Sequence, residues 1–443
     1  MALDVIVAVR ESDAYANLLL PVRLSRAKLS EADAALATEL TYGTLRMQGY
    51  YDRVIALAAG RLLDKIDPPI LDVLRLACHQ LLSMRVAQHA AVDESVRLAK
   101  TVGSNSAVGF VNGVLRTITR TDADTWHERV IAQAGSGEEA LAFSYSHPLW
   151  VTRAFRQVLV SEGRENELEP LLAADNVAPR VSLTALPGFA SVEELDAHSA
   201  EFSPVGAVLD RGDPLKLSAV RDGRARVQDE GSALAALTLS RARPVEAGEV
   251  WLDLCAGPGG KAALLAAEAI AAGAVLVANE LVPARAQLVR NALQVFDPAP
   301  EVWQLDGTTI GASHPETFDR ILLDAPCTGL GALRRRPEAR WRKQPSDVAG
   351  LGALQTALLA SALRALKPGG LLAYVTCSPH AAETKAVVAS VLRKAPDVEK
   401  LDTPAVLQSI VKQPLDLVDG SHVQLWPHRH GTDAMFIQLL AKV

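Results

Sequence analysis

With 443 residues, 49% of them hydrophobic, the chain can bury two or three cores of ordinary domain size. Its formal net charge of −6 and pI near 6.0 exclude a polyanion binder that works through overall charge, so any nucleic-acid contact must come from local basic patches. Four scattered cysteines, Cys78, Cys255, Cys327 and Cys377, are too few for a disulfide framework and lack zinc-site spacing, which predicts no metal and a reducing, cytoplasmic setting.

The first residues, M-A-L-D-V-I-V-A-V-R, lack the basic opening of a signal peptide. Apolar residues then recur at three- and four-residue spacing through 12–27, 31–47, 67–86 and 90–103, which predicts helices. Ser30 with Asp33 has the pattern of a capping box, and Asp67-Pro68 that of an N-cap followed by proline at the first helical position. Residues 1–130 hold fifteen basic against fifteen acidic residues, so charge alone gives this region a packing or docking role rather than an RNA role. Gly135-Ser136-Gly137 marks 125–139 as a linker region. S-H-P-L-W, 146–150, opens a further helical pattern to about 174, and 175–235 carries turn signals between short apolar runs.

From 248 onward the rhythm becomes α/β. Strands are predicted at 249–254, 274–279, 301–305, 319–324 and 371–376, a helix over 351–366 stopped by Lys367-Pro368-Gly369-Gly370, and a closing hairpin from V-Q-L-W-P-H and A-M-F-I-Q-L-L-A. Alternating strands and helices imply a mostly parallel sheet covered on both faces. The apolar segment 262–279 is interrupted by Glu268 and Gly273, which predicts no membrane span there. The expected fold is multidomain: an all-α domain over 1–125, a small α+β connecting segment over 140–240, and an α/β Rossmann-like domain over 241–443.

In such sheets ligands bind outside the carboxyl ends of the strands. There the sequence places Asp253-Leu254-Cys255, Asn279-Glu280, Asp306-Gly307, Asp324-Ala325-Pro326-Cys327 and Thr376-Cys377-Ser378, a rim of acids and thiols. The glycine turn C-A-G-P-G-G-K, 255–261, lets backbone N–H groups approach an anionic ligand at a helix N-terminus. Glu280 stands where an acid takes ribose hydroxyls, or it caps the next helix. Asp306 either accepts from an adenine amino group or caps its own helix. With neither a dinucleotide G-x-G-x-x-G nor a phosphate-loop lysine–serine pair, the ligand expected is a single nucleoside with a small appendage, which S-adenosylmethionine suits. Each cysteine alone could be a small buried hydrophobe. Two of them at neighbouring strand ends suit addition of a thiolate to C6 of a cytosine, which activates C5 for methylation, followed by base-assisted elimination.

C-A-G-P-G-G-K (255–261), D-A-P-C-T-G-L-G (324–331) and T-C-S (376–378) resemble, in order, the signature motifs of the RNA 5-methylcytosine methyltransferases of the Nol1/Nop2/Sun family. The resemblance implies a class I methyltransferase domain that uses S-adenosylmethionine. It makes Cys377 the nucleophile on C6 and Cys327 the thiol that assists elimination, with Asp324 and Lys261 holding the reacting base and cofactor. It assigns the cofactor to Cys255, Ala256, Gly257, Pro258, Gly259, Gly260, Lys261, Glu280, Asp306 and Asp324. Glu280 stands where many members carry Asp, which keeps the carboxylate.

Upstream, Y-G-T-L-R (42–46), V-D-E-S-V-R-L-A-K (92–100) and F-V-N-G-V-L-R (110–116) are similar to a NusB-like RNA-binding domain. With S-H-P-L-W and V-Q-D-E-G-S, this is the layout of a bacterial small-subunit rRNA member of the family. V-S-L-T-A-L at 181–186 departs from the more basic run expected there. Residues 334–343, R-R-R-P-E-A-R-W-R-K, put six basic residues and a tryptophan just after Cys327. Arg334, Arg335, Arg336, Arg340, Trp341 and Arg342 are therefore expected to clamp phosphate and stack a base, the other reading being a loop with a packed tryptophan. The function expected is RNA cytosine-5 methylation by a cytoplasmic monomer, with 16S rRNA as the favoured partner and no membrane. The alternatives are a tRNA substrate, or an RNA-binding, antitermination-like factor without catalysis.

Overall fold

The computed structural model describes residues 1–12, 14–210 and 212–443. The chain forms two compact units. The first comprises Met1–Leu159, Arg164–Ala178 and Leu333–Lys343; the second comprises Val160–Gly163, Pro179–Ala332 and Gln344–Val443. The stretch 140–240, read from sequence as one connecting segment, is thus divided between them.

The first unit is helical. Its helices include Ala16–Ala27, Glu31–Arg46, Pro68–Leu82 and Gln88–Val102, where the periodicity places them, together with Ala2–Glu11, Gln48–Ala59 and Asn105–Thr119. Ser30 accepts from the Asp33 backbone N–H, but Asp33 answers to the Ser30 hydroxyl rather than to its backbone, so only half of the capping box forms. Pro68 begins its helix as expected, while Asp67 caps it without a side-chain bond. The core gathers around Tyr51, Val54, Val73, Leu74, Ala77, Val111 and Leu115. Residues 125–139 are not a linker. Helices Ala123–Ile131 and Gly137–Ser144 occupy most of them, and Trp126 is buried with its indole N–H donating to the Ile118 carbonyl at 3.0 Å. The glycines that suggested a linker instead surround the start of a helix whose N-cap is Ser136.

The second unit holds two sheets. In the smaller, β1 (Val181–Ala185), β2 (His198–Ser199), β3 (Gly206–Leu209) and β4 (Ala225–Val227) pair antiparallel in the order β2-β3-β1-β4. The larger contains β5 (Val250–Asp253), β6 (Val275–Asn279), β7 (Glu301–Trp303), β8 (Phe318–Asp324), β9 (Leu366–Thr376), β10 (Val398–Lys400), β11 (Val423–Gln424) and β12 (Phe436–Lys442). Its order is β10-β12-β9-β8-β5-β6-β7, with β11 on β12. The run β9-β8-β5-β6-β7 is parallel, and β12 enters antiparallel against β9.

Strand side chains alternate between two cores, as a sheet covered on both faces requires. Trp251, Leu322, Ala373 and Val375 face the helices Glu230–Ser240 and Gly260–Ala271, while Leu252, Ile321, Leu323 and Tyr374 face Pro345–Ala365 and Lys385–Leu392. Among the described residues Pro345–Ala365 is the helix long and apolar enough to cross a membrane by length and composition; part of it packs on β8 and β9. Its expected stop, Lys367–Gly370, lies inside β9, because the helix already ends at Ala365 and the chain turns straight into the strand. β5 is the first strand of the parallel run, from which the order goes to β6 and β7 on one side and to β8 and β9 on the other. The crevice expected of such a sheet therefore opens at the carboxyl ends of β5 and β8.

Candidate active site

At that switch point β5 ends in Asp253 and β8 in Asp324. The turn after β5 leads into Gly260–Ala271, whose N-cap, Gly259, has φ of 107°, a left-handed conformation that favours glycine. Lys261, in the first turn of that helix, donates to Asp324 Oδ2 at 2.8 Å. Burial alone would lower the Lys261 ammonium's pKa, but the charges of Asp324, Cys377 and Asp253 carry it above its ordinary value. Asp253 is buried to 1% exposure, and neither carboxylate oxygen has a hydrogen-bond partner of ordinary geometry among the described residues. Burial first, and then the charge of Asp324, push its pKa up to about 8, although Lys261 opposes them.

The turn is clasped from the next strand. Glu280 Oε2 accepts from the Gly257 N–H at 3.1 Å, Glu280 Oε1 accepts from the Val282 N–H at 3.0 Å, and Arg285 donates to the Gly257 carbonyl at 2.8 Å. A Cβ at Gly257 would sit 2.3 Å from Glu280 Oε2, so a larger residue there would push the Glu280 carboxylate and the Arg285 guanidinium aside. Asn279 joins three strand ends: its amide donates to the carbonyls of Leu254 and Leu305 and accepts from the Leu305 N–H. Asp306 is exposed, and its Oδ1 accepts from the backbone and hydroxyl of Thr308, a local turn, while the next helix, Ile310–Ser313, has Thr309 as its N-cap and no side-chain cap bond. Cys255 lies beside Asp253, Asp324 and Glu280, and burial followed by these carboxylates pushes its thiol pKa up.

β8 and β9 pair in parallel with Asp324 opposite Val375, which sets their outgoing loops side by side. Cys327 and Cys377 consequently approach to 3.4 Å between sulfurs. Hydrogen bonding to Cys377, then burial, then the charges of Cys377, Glu383 and Asp324 hold the Cys327 thiol well above its ordinary pKa. Behind the pair, Glu383 is wholly buried and receives both loops: Thr328 N–H at 2.8 Å, Thr328 hydroxyl at 2.5 Å and Ser378 hydroxyl at 2.6 Å. Gln355 donates to the Pro326 carbonyl at 2.8 Å and to Glu383 at 3.3 Å.

The basic stretch forms part of the other unit. Leu333–Lys343 belongs to the helical unit. Arg340 is fully buried there, its guanidinium donating to the carbonyls of Arg46, Ser146 and Asp175 and to Asn176 Oδ1 at 2.8–3.1 Å. Arg334 is buried, its carbonyl accepting from Arg46, and Arg342 donates to the carbonyls of Val9 and Ala14. The Trp341 ring fills the space that Gly49 leaves, since a Cβ there would come within 2.3 Å of it. Arg335 is half-buried and Arg336 exposed, the latter 5.5 Å from the Tyr15 ring centre. The expectation that Arg334, Arg340, Trp341 and Arg342 clamp phosphate and stack a base is corrected accordingly. Arg340 and Arg342 tie up main-chain carbonyls, a structural use that charge counting does not distinguish from RNA binding.

The structure brings Lys261, Asp324, Cys327, Cys377, Glu280 and the glycine turn to one rim of the sheet. Asp253 and Asn279 were placed at strand ends without a role, and Arg285, Gln355 and Glu383 were not singled out. Asp253 had a signal, being the first acid after the apolar run of β5. Glu383 had none, since nothing in P-H-A-A-E tells which acid turns inward.

The buried, unpartnered Asp253 carboxylate next to a glycine turn and a helix N-terminus suits a ligand with an ammonium and a carboxylate. Gln228 adds a buried Oε1 without a partner, its side chain 3.4 Å from where a Gly260 Cβ would stand. These residues fit S-adenosylmethionine: Asp253 would take its ammonium, the N–H groups at 259–261 its carboxylate, and Glu280 its ribose.

A parallel sheet with this switch-point site, on a chain that also carries a separate helical unit, defines a Rossmann-like methyltransferase with an N-terminal helical domain. The family profile described as 16S rRNA methyltransferase RsmB/F matches residues 242–441, and that of the NusB family matches 1–120. Rv1407 of Mycobacterium tuberculosis, named as a methyltransferase, is 47% identical over the whole chain and 96% of that relative. Ribosomal RNA small subunit methyltransferase B of Klebsiella pneumoniae is 30% identical over 88% of each chain. Among solved structures PH0851 superposes with a TM-score of 0.78 at 24% identity, covering 95% of this chain and 93% of its own, a likeness of fold. The chain belongs to the RsmB/F family, and with it to the S-adenosylmethionine-dependent RNA methyltransferases.

Proposed function

We propose that the protein methylates C5 of a cytosine in small-subunit rRNA through a covalent adduct between Cys377 and C6 of the base. The observation that carries this reading is the thiol pair, two cysteine sulfurs 3.4 Å apart beside the Lys261–Asp324 pair. An ordinary methyltransferase acting on a nucleophilic nitrogen or oxygen has no use for two thiols. The NusB match and the names of relatives support rRNA as the substrate.

S-adenosylmethionine, when bound, supplies an electrophilic methyl group. The remaining steps fall to side chains. Lys261 interacts electrostatically with Cys377 and so favours its thiolate. The thiolate adds to C6, and the C5–C6 π electrons move to C5, which becomes the nucleophile toward the methyl carbon. Asp324, held by Lys261, hydrogen-bonds the pyrimidine edge. Once C5 carries its methyl group, a base removes the C5 proton, the C5=C6 bond re-forms and the Cys377 thiolate leaves. Cys327, in contact with Cys377, assists this elimination.

The reading is tested by methyl incorporation into 16S rRNA and by denaturing gels. Cys377→Ala is expected to lose at least about a thousandfold in rate while still binding RNA. Cys327→Ala is expected to accumulate a protein–RNA adduct that survives denaturation. Normal turnover by Cys327→Ala would sink the role given to that thiol. Methylation of tRNA alone would move the substrate and keep the chemistry, and no incorporation at all would favour an RNA-binding factor.

A further inference from the structure

We propose that Glu383 is the positioning residue of the thiol pair: one buried carboxylate fixes the loops of Cys327 and Cys377 against each other and keeps the two sulfurs in different roles. The proposal rests on the cytosine-5 reading above and deepens it.

Glu383 sits in the short turn Ala381–Glu383, six residues beyond Cys377. Its Oε1 takes the backbone N–H of Thr328, the neighbour of Cys327, and its Oε2 takes the hydroxyl of Ser378, the neighbour of Cys377. The Thr328 hydroxyl bridges the two, donating to Glu383 at 2.5 Å and lying 3.1 Å from Ser378 Oγ. The main chain of Glu383 is anchored as well, its carbonyl accepting from the Tyr374 hydroxyl at 2.7 Å. A neutral group could bridge two loops. A buried carboxylate in a shell of neutral donors (Thr328, Ser378 and Gln355) is costly unless its charge has a use.

The use lies in asymmetry. The charged and titratable groups acting on Cys327 are Cys377, Glu383 and Asp324, with Tyr374 also facing it, while His380 lies in the field of Glu383. The cation Lys261 acts on Cys377. The anion behind one sulfur and the cation beside the other favour the thiol at Cys327 and the thiolate at Cys377. Two equivalent thiolates in contact would compete for the same C6.

The test uses the full-length protein and two readouts. Steady-state methylation of 16S rRNA by Glu383→Gln, which has nearly the same shape without the charge, should show kcat reduced about a hundredfold with KM for RNA little changed, the size expected of a catalytic group displaced by about 1 Å. Alkylation by iodoacetamide against pH then reports each thiol without RNA. In a Cys377→Ala background, Glu383→Gln should shift the Cys327 profile toward lower pH by about one unit. In a Cys327→Ala background the Cys377 profile should stay in place. An unchanged kcat, or a Cys327 profile that does not move, would overturn the proposal and leave Glu383 a structural tie. Glu383→Asp, which keeps the charge but shortens the reach, should restore the Cys327 profile and leave kcat low. Failure of the wild-type protein to methylate cytosine would refute the parent reading alone, because the alkylation profiles stand apart from it.

Discussion

Lys261 and Asp324 are 63 residues apart in sequence and 2.8 Å apart in space, so one ion pair ties the glycine turn after β5 to the strand end that opens the D-A-P-C loop. The turn is the one proposed to hold the cofactor, and the loop carries the Cys327 thiol. Because neighbouring charges keep the ammonium's pKa above its ordinary value, it stays charged across the physiological range. The ion pair's contribution is present below the unfolded lysine pKa and is lost only as pH rises through the higher folded value.

Replacing Lys261 by Met should therefore cost catalysis rather than fold. It removes the cation beside Cys377 and releases Asp324, while the aliphatic stem keeps its packing. The methylation rate should fall by about two to three orders of magnitude, the size seen when a preorganised electrostatic group is lost. The melting temperature should fall by only a few degrees, because Asp324 keeps 27% of its side chain exposed to water. The measurement is single-turnover methyl transfer beside thermal denaturation, and a rate within a few-fold of wild type would contradict the assignment.

Asp253 makes a prediction about pH. Its folded-state pKa is pushed up to about 8, above the unfolded value of about 3.9 for aspartate. Between those values the folded state holds a proton that the unfolded state has lost, so stability falls as pH rises. The cofactor-free protein should lose stability on the order of several kcal/mol between about pH 4 and pH 8 from this group alone. Asp253→Asn should flatten that slope, raise the melting temperature at pH 8 more than at pH 5, and weaken cofactor binding through loss of the carboxylate. Thermal melts across pH, with calorimetric titration of S-adenosylmethionine, measure both. A variant that binds cofactor as well as the wild type would refute the role given to Asp253.

These residues mark where the sequence was legible and where it stopped. The parallel strands and their carboxyl-end acids follow from local pattern, because a strand buried on both faces must be apolar until it reaches the rim. Cys327, Cys377 and Lys261 were legible as motifs. Glu383 and Gln355 were not, because their value lies in contacts across loops that no local period encodes. The basic stretch misled for a related reason. Charge density shows that guanidinium groups are present, but not whether they face phosphate or backbone carbonyls. The supposed linker at 125–139 failed because glycine and serine mark a helix start as readily as a flexible join.

Arg340 carries the last prediction. It lies within the helical unit, where its four principal acceptors come from the helix end at Arg46, from Ser146 in the S-H-P-L-W segment and from Asp175 and Asn176. Nearby, the buried imidazole of His147 lies 3.4 Å from Asp175, its pKa lowered well below the ordinary value by burial and by the Arg340 charge. Deleting the guanidinium would leave several buried carbonyls unpaired, each costing about 1–3 kcal/mol. Arg340→Met should therefore destabilise the helical unit by on the order of 3 kcal/mol and lower its melting temperature by roughly 10 °C. Arg336→Ala, at an exposed position, should leave the melt within about 1 °C. If these arginines served RNA in the first place, the order would reverse: Arg340→Met would melt normally and lose rRNA affinity in a filter-binding assay. Comparing melts and binding isotherms of the two variants at a temperature where both are folded decides between a structural strap and an RNA clamp.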